Sequence, residues 1–257
     1  IVWAKNNKIP FRSNLKIQKN KLVGADQNNK IYFFDIKNGN VLKIIPTENT
    51  IIKNNYINNI SYNKKNIFML NTYGSLYAID NKDNKLNWVT NLNQSLNMNP
   101  SVLFNGNATV SNEEIIVVTS QNSTYVIDSK NGNIISKYNI VSKIKPLILD
   151  NHLFIVSSDD LLICINLSNG SVVYSYKINR LIAEFLKIKE KSALFKNMYL
   201  VNGSIMILLK NSFILEFETN GTMKEISKFP SKIKSDLVFV NKSVLYLNHR
   251  NRLVILD

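Results

Sequence analysis

Two histidines, one cysteine and two adjacent acid pairs are the residues of this 257-residue chain whose types could do chemistry. His152 and His249 are isolated from any carboxylate motif. They make neither a zinc site nor a nucleophile–base pair. Cys164 stands alone, which excludes an intramolecular disulfide and a thiolate metal site. Inside the apolar run Leu162-Ile163-Cys164-Ile165 it reads as a small hydrophobe. Glu113-Glu114 and Asp159-Asp160 are each consecutive, and neighbours on a strand point to opposite faces, so neither reads as an acid–base dyad. Glu113-Glu114 reads instead as a polar strand entrance. Gly is scarce, and no GxGxxG or phosphate-cradling loop occurs. Trp3 and Trp88 are expected to fill space between repeating units rather than to stack on a ligand. Triplets such as Asn122-Ser123-Thr124 and Asn202-Gly203-Ser204 are read as chance in an Asn-rich chain. The expectation is therefore no catalytic, cofactor-binding or metal-binding residue, and no cofactor.

The elements that must position these residues repeat. IYFFDIKNGNVLKI (from Ile31), LYAIDNKDNKLNWV (from Leu76), TYVIDSKNGNIISKY (from Thr124) and LICINLSNGSVVYSY (from Leu162) share one pattern. FILEFETNGTMKEIS (from Phe213) is more divergent, and an incomplete LVILD ends at Asp257. The spacing, roughly 40–50 residues, is that of a four-stranded propeller blade. Each copy follows an apolar run such as Ile67-Phe68-Met69-Leu70 and leads through a turn into a further strand, such as Leu86-Asn87-Trp88. Short β-forming runs between Asn/Gly/Asp turns spell an antiparallel meander. Asn38-Gly39, Asn131-Gly132, Asn169-Gly170 and Asn220-Gly221 supply positive-φ residues for tight hairpins. Asp35, Asp80 and Asp128 end their strands where a carboxylate can cap turn N–H groups. A further strand precedes each unit, as in Pro146–Asp150 and Ser235–Val240, and Pro is tolerated at such an entrance. The expected fold is all-β, a β-propeller of four-stranded antiparallel blades with about six blades in the chain, forming one domain over residues 1–257.

Two stretches depart from this grammar. Leu181–Ala193 is expected to be an inserted loop with a helical turn, and Asn91–Asn112 a long mobile connection. At the ends, Ile1-Val2-Trp3-Ala4 reads as a fourth blade strand and Leu253–Asp257 as a third. The N-terminal strand therefore either completes the final blade, sealing its edge, or the chain is a piece of a larger propeller; the absent initiator Met favours the second.

The formal net charge of +14 invites a nucleic-acid reading. Lys far outnumbers Arg, however, and roughly 40 Asn residues exceed ordinary usage, as AT-rich coding would produce. No Arg cluster, aromatic–basic interleaving or nucleic-acid motif accompanies the charge. Lys scattered through turns reads as a solvated surface, with weak attraction to anionic lipid left open. The longest apolar runs, such as Ile205–Leu209, are too short to span a membrane as a helix.

Gly74-Ser75-Leu76-Tyr77-Ala78-Ile79-Asp80 with Trp88 resembles the repeat of the pyrroloquinoline-quinone-like propeller superfamily: an apolar strand, Gly, Leu-Tyr-Ala-Leu-Asp, a Thr-Gly turn and a closing Trp. In other copies Asn replaces the Thr before Gly, and Tyr138 and Tyr176 stand where the Trp would be. Pro10-Phe11-Arg12-Ser13, Ile182-Ala183-Glu184-Phe185-Leu186, Leu208-Leu209-Lys210-Asn211-Ser212, Phe229-Pro230-Ser231-Lys232 and Leu245-Tyr246-Leu247 resemble, within it, the BamB-like propeller lipoproteins of alphaproteobacteria. That resemblance implies an eight-bladed, non-enzymatic scaffold in the periplasm at the inner face of the outer membrane, held by a lipidated N-terminal Cys. It also implies support of β-barrel insertion through contact with the barrel-forming subunit, as a monomer within a hetero-complex, and no nucleic-acid partner. The lipidation Cys is not in this chain, and six units fall short of eight. Quinone-dependent dehydrogenases resemble the same repeat; they imply a quinone, Ca²⁺, a catalytic Asp and often a disulfide of adjacent cysteines, which a single Cys removes. A generic interaction propeller is the third reading.

Overall fold

The computed structural model describes residues 2–49, 56–93, 103–241 and 243–256, and its strands form consecutive antiparallel sheets. The first sheet holds β1 (Lys16–Gln18), β2 (Lys21–Ala25), β3 (Ile31–Asp35) and β4 (Val41–Ile45). The second holds β5 (Asn59–Tyr62), β6 (Asn66–Leu70), β7 (Ser75–Asp80) and β8 (Leu86–Asn91). The third holds β9 (Gly106–Ser111), β10 (Ile115–Ser120), β11 (Thr124–Asp128) and β12 (Ile134–Tyr138). The fourth holds β13 (Leu147–Leu149), β14 (His152–Val156), β15 (Leu161–Asn166) and β16 (Val172–Lys177), followed by α1 (Ile178–Leu186). The fifth holds β17 (Phe195–Val201), β18 (Ser204–Leu209), β19 (Phe213–Phe217) and β20 (Met223–Lys228). Three strands, β21 (Val238–Val240), β22 (Ser243–Leu247) and β23 (Leu253–Leu256), form the sixth. The fold is an all-β propeller of antiparallel blades. The chain divides into two compact units, Ile1–Ser142 and Lys143–Asp257, with three sheets each.

Every copy of the repeat is the third strand of its sheet, and in the first four the terminal Asp or Asn does the same work. Asp35, Asp80 and Asp128 accept through Oδ1 the backbone N–H two residues on, at 2.7, 2.7 and 2.6 Å. Asn166 does so toward Ser168 at 2.9 Å. The turn-capping expectation therefore holds, and Asn serves where Asp is missing. In the four Asn-Gly pairs that follow the repeat strands only the Gly takes positive φ, for example +78° at Gly132. In the second sheet, which lacks the Gly, Asn84 adopts φ +57°. Pairing between third and fourth strands slips once per full sheet, just before that Asp or Asn in four of them, as at Ala78/Ile79 and Val126/Ile127. Such a bulge increases twist and bends the strand.

Alternation decides what each blade buries. On β6, Ile67 and Met69 join Val23, Ile31 and Phe33 of the first sheet, while Phe68 and Leu70 join Ile116, Val118 and Ile127 of the third. In the second unit Ile205, Ile207 and Leu209 of β18 meet Phe154, Leu162 and Cys164, and Leu208 faces Ile233 and Tyr246. β6 and β18 are thus apolar on both faces because a sheet of the same unit lies on each. Each fully buried large side chain contributes about 1.5–3 kcal/mol. Fourth strands follow another rule: β4, β8 and β12 mix exposed with half-buried positions, and β16 is exposed except at Tyr174.

Trp88 closes the contact between second and third sheets. Its indole Nε1–H donates to Ser129 O at 3.3 Å, and a Cβ added to Gly132 would lie 2.5 Å from the ring. Trp3 repeats this on the first sheet, donating to Ile36 O at 2.8 Å and lying over Gly39. Tyr176 lies over Gly221. The packing role read for both tryptophans holds.

Four expectations are corrected. Residues 2–4 lie in no strand, although Trp3 makes a fourth-strand contact. The insertion expected at Leu181–Ala193 begins earlier, as a nine-residue helix leaving β16 directly. The reason is that Ile178 is fully buried and Asn179 Nδ2 donates to Asp160 Oδ2 at 2.8 Å, fixing the first turn. Of the connection expected over Asn91–Asn112, both ends contribute strand: Asn91 ends β8 and Gly106–Ser111 is β9, where Ala108 and Thr109 are buried. Residues 94–102 of that expectation lie outside the described residues. The strand expected over Ser235–Val240 is only Val238–Val240, since Ser235 instead caps Leu247 N–H.

Candidate interaction surface

The residues with chemical potential are held singly, in separate strands and turns. His152 opens β14, paired with Asn166 and Leu149, its ring 6.4 Å from Phe154. His249 is exposed in the β22–β23 turn. Cys164 is 2% exposed, and burial pushes its thiol up to about 11, which keeps it protonated and inert. Glu113 and Glu114 occupy the β9–β10 turn, where Glu113 Oε1 accepts Lys64 N–H at 3.2 Å. Asp160 pairs with Lys143 and Asn179, while Asp159 is exposed. Among the described residues no group of three His, Cys, Asp or Glu could hold a metal ion.

One polar cluster escaped the sequence reading. Glu48, on the connection between first and second sheets, accepts from Asn71 Nδ2 at 2.6 Å and Ser75 Oγ at 2.9 Å. Tyr77 also bonds it, and burial with the Glu48 charge pushes that phenol up to about 12. A hydroxyl, a carboxylate and a phenol thus meet without an imidazole, and Ser75 is fully buried. The cluster joins two blades rather than presenting a nucleophile. Asn71, Ser75 and Tyr77 lie 23 to 29 residues beyond Glu48, so no motif spacing ties the carboxylate to them.

Some lysines read as solvated are structural. Lys21 Nζ donates to Asn81 O at 2.9 Å and Asn84 Oδ1 at 2.7 Å, and Lys43 Nζ to Asn84 O at 2.8 Å. Lys196 Nζ donates to Lys234 O at 2.8 Å and Ser235 O at 2.7 Å. Burial lowers the pKa of Lys21 and Lys196.

What remains outward-facing suits protein contact. Val41, Leu42, Ile134, Ile135, Val172 and Val173 are each about half exposed on fourth strands. Lys137 and Lys177, both exposed, add charge to two of these strands, which discourages edge-to-edge self-association. In the second unit a groove of about 690 Å³ lies between fifth and sixth sheets, lined by Leu200, Met206, Ile214, Phe229, Phe239 and Val244 among others. Two clefts of the first unit, about 410 and 420 Å³, are lined largely by amides and charges.

Blades of this pattern, with no assembled reactive group among the described residues, define a repeat propeller whose accessible features are edges and grooves. A family model described as outer membrane protein assembly factor BamB matches residues 1–176, and the chain belongs to that family. No curated protein matches. Among solved structures, BamB from Moraxella catarrhalis is similar with TM-score 0.61 and 9% identity, covering 98% of this chain and 87% of that one. The β-propeller domain of Myceliophteria thermophila Cps50 (Swd1) is similar with TM-score 0.68 and 9% identity, covering 97% and 83%. At that identity both likenesses concern the fold.

Proposed function

We propose that this chain is a non-catalytic scaffold of the bacterial cell envelope. In this reading it supports assembly and insertion of outer-membrane β-barrel proteins through protein–protein contacts. The observation that carries the reading is the family match over residues 1–176. The local engagement of His152, Cys164, Asp160 and Glu113 agrees with it. The partner is the barrel-forming subunit of the assembly machinery, contacted at the periplasmic side of the outer membrane by a single propeller domain held through an N-terminal lipid. Rigid blades offer two modes of contact: strand addition at a fourth-strand edge, and aromatic or aliphatic anchors entering the groove lined by Met206, Phe229 and Phe239.

The test is titration calorimetry of the chain with the soluble repeat domains of the barrel-forming subunit. Saturable binding with a negative heat-capacity change, the mark of apolar burial, is expected. No binding, or pyrroloquinoline quinone bound with Ca²⁺-dependent dye reduction, overturns the reading.

A further inference from the structure

The connection from β16 to β17 carries a surface that the fold itself leaves unused. α1 buries Ile178, Asn179 and Ala183, and Leu181 and Ile182 rest against the sheet core. It ends in a Schellman cap, with Lys187 at φ +55° and Ile188 N–H donating to Ala183 O at 3.0 Å. From the last turn of the helix onward the side chains turn outward. Phe185, Leu186 and Ile188 are 46, 44 and 51% exposed, and Leu194 is 64% exposed. Lys187, Lys189 and Lys191 alternate with them, all exposed.

The two acids of the segment are already engaged, Glu184 with Arg180 at 2.8 Å and Glu190 with Lys177 at 3.2 Å. Among the described residues no salt bridge holds the three lysines. The return of the segment is fixed, because Ala193 N–H donates to Asn179 Oδ1 at 3.0 Å. Phe185 through Leu194 is therefore a projection clamped at both ends, and it lines none of the three clefts described above. A peptide partner prefers a groove. A projection that mixes apolar side chains with unpaired Lys suits a lipid surface, where the apolar groups enter the headgroup–acyl boundary and the Lys meet phosphate.

We propose that Phe185–Leu194 is a membrane-surface contact that docks on anionic lipid. Phe185, Leu186 and Ile188 enter the boundary layer, and Lys187, Lys189 and Lys191 lie on the phosphates. The contact lies on the surface: no helix among the described residues is long and apolar enough to cross a membrane.

The test is co-sedimentation of the 257-residue chain with vesicles of phosphatidylcholine alone and of phosphatidylcholine mixed with phosphatidylglycerol. Binding is expected only with the anionic mixture. F185S/I188S, which keeps every charge, and K187Q/K189Q/K191Q should each weaken partitioning about tenfold or more. K37Q/K82Q/K130Q removes the same charge from exposed turns and should change it less than about twofold. An F185W reporter should shift to the blue on anionic vesicles, and it stands even if the serine substitutions unsettle the helix. The proposal is overturned if F185S/I188S binds like the parent, or if the turn lysines matter as much as those of the segment. A shift of F185W on an envelope protein but not on vesicles also overturns it.

Discussion

Adding a single methyl group at Gly132 probes how the blades hold together. The new Cβ of Gly132→Ala would lie 2.5 Å from Trp88 Cε3 and 2.5 Å from Thr90 Oγ1, at a backbone φ of +78°. The left-handed conformation costs an L-residue about 1–2 kcal/mol, and forcing a packed ring aside costs about 1–3 kcal/mol more. The expected loss is about 2–5 kcal/mol. Gly203 supplies the control: its φ is +77°, yet nothing lies within 4 Å of an added Cβ. Gly203→Ala should therefore lose only the conformational part, about 1–2 kcal/mol. Urea unfolding followed by far-ultraviolet circular dichroism compares the two through their midpoints and slopes. In a Trp88→Leu/Thr90→Ala background the extra cost of Gly132→Ala should vanish, since both groups that oppose the methyl are gone. Equal losses at Gly132 and Gly203, or an unchanged cost without Trp88, would refute the idea that the aromatic on the neighbouring turn is a packing constraint.

Three further outcomes follow from named contacts. Asp128→Ala should destabilise by about 1 kcal/mol through the lost turn cap, whereas Asp128→Asn should stay near the parent, because Asn166 already does this work; thermal midpoints of the two variants decide it. Tyr77 has its phenol raised from 10.0 to about 12, so the folded state keeps a proton that the unfolded state loses. Its contribution is complete below pH 10 and declines between pH 10 and 12, and Tyr77→Phe should flatten that part of a urea-midpoint profile. Cys164, 2% exposed, should react with a maleimide only as denaturant opens the sheet, and rapid labelling of the native chain would contradict its place in the core.

Strand order and turn chemistry were legible because they are local. Leu76–Asp80 shows its own pattern, and Asp80 caps a turn two residues away. Alternation on β6 could be read as apolar on both faces, and burial followed. Trp88 was readable as an interblade group, but not its target, since Gly132 lies 44 positions on and only the stacking of sheets unites them. Glu48 was invisible for the same reason: its ties to Asn71, Ser75 and Tyr77 are tertiary. Lys21 and Lys43 looked like solvated charge because nothing in sequence says which lysines find a neighbouring turn's carbonyls. The start of α1 was misplaced since Ile178 reads equally well as the end of β16. Its helical role depends on burial and on Asn179 reaching Asp160. No contact site was legible, because edges and grooves such as that around Phe229 and Phe239 belong to whole blades rather than to motifs.

A role in barrel assembly is open to a decisive test, depletion of the protein in its own host. Folded outer-membrane β-barrels would be quantified by their heat-modifiable migration during depletion, with restoration by the parent gene. The account predicts that folded barrels fall while their unfolded precursors accumulate, and that re-expression reverses both. Undiminished folded barrels after the protein is gone would contradict it.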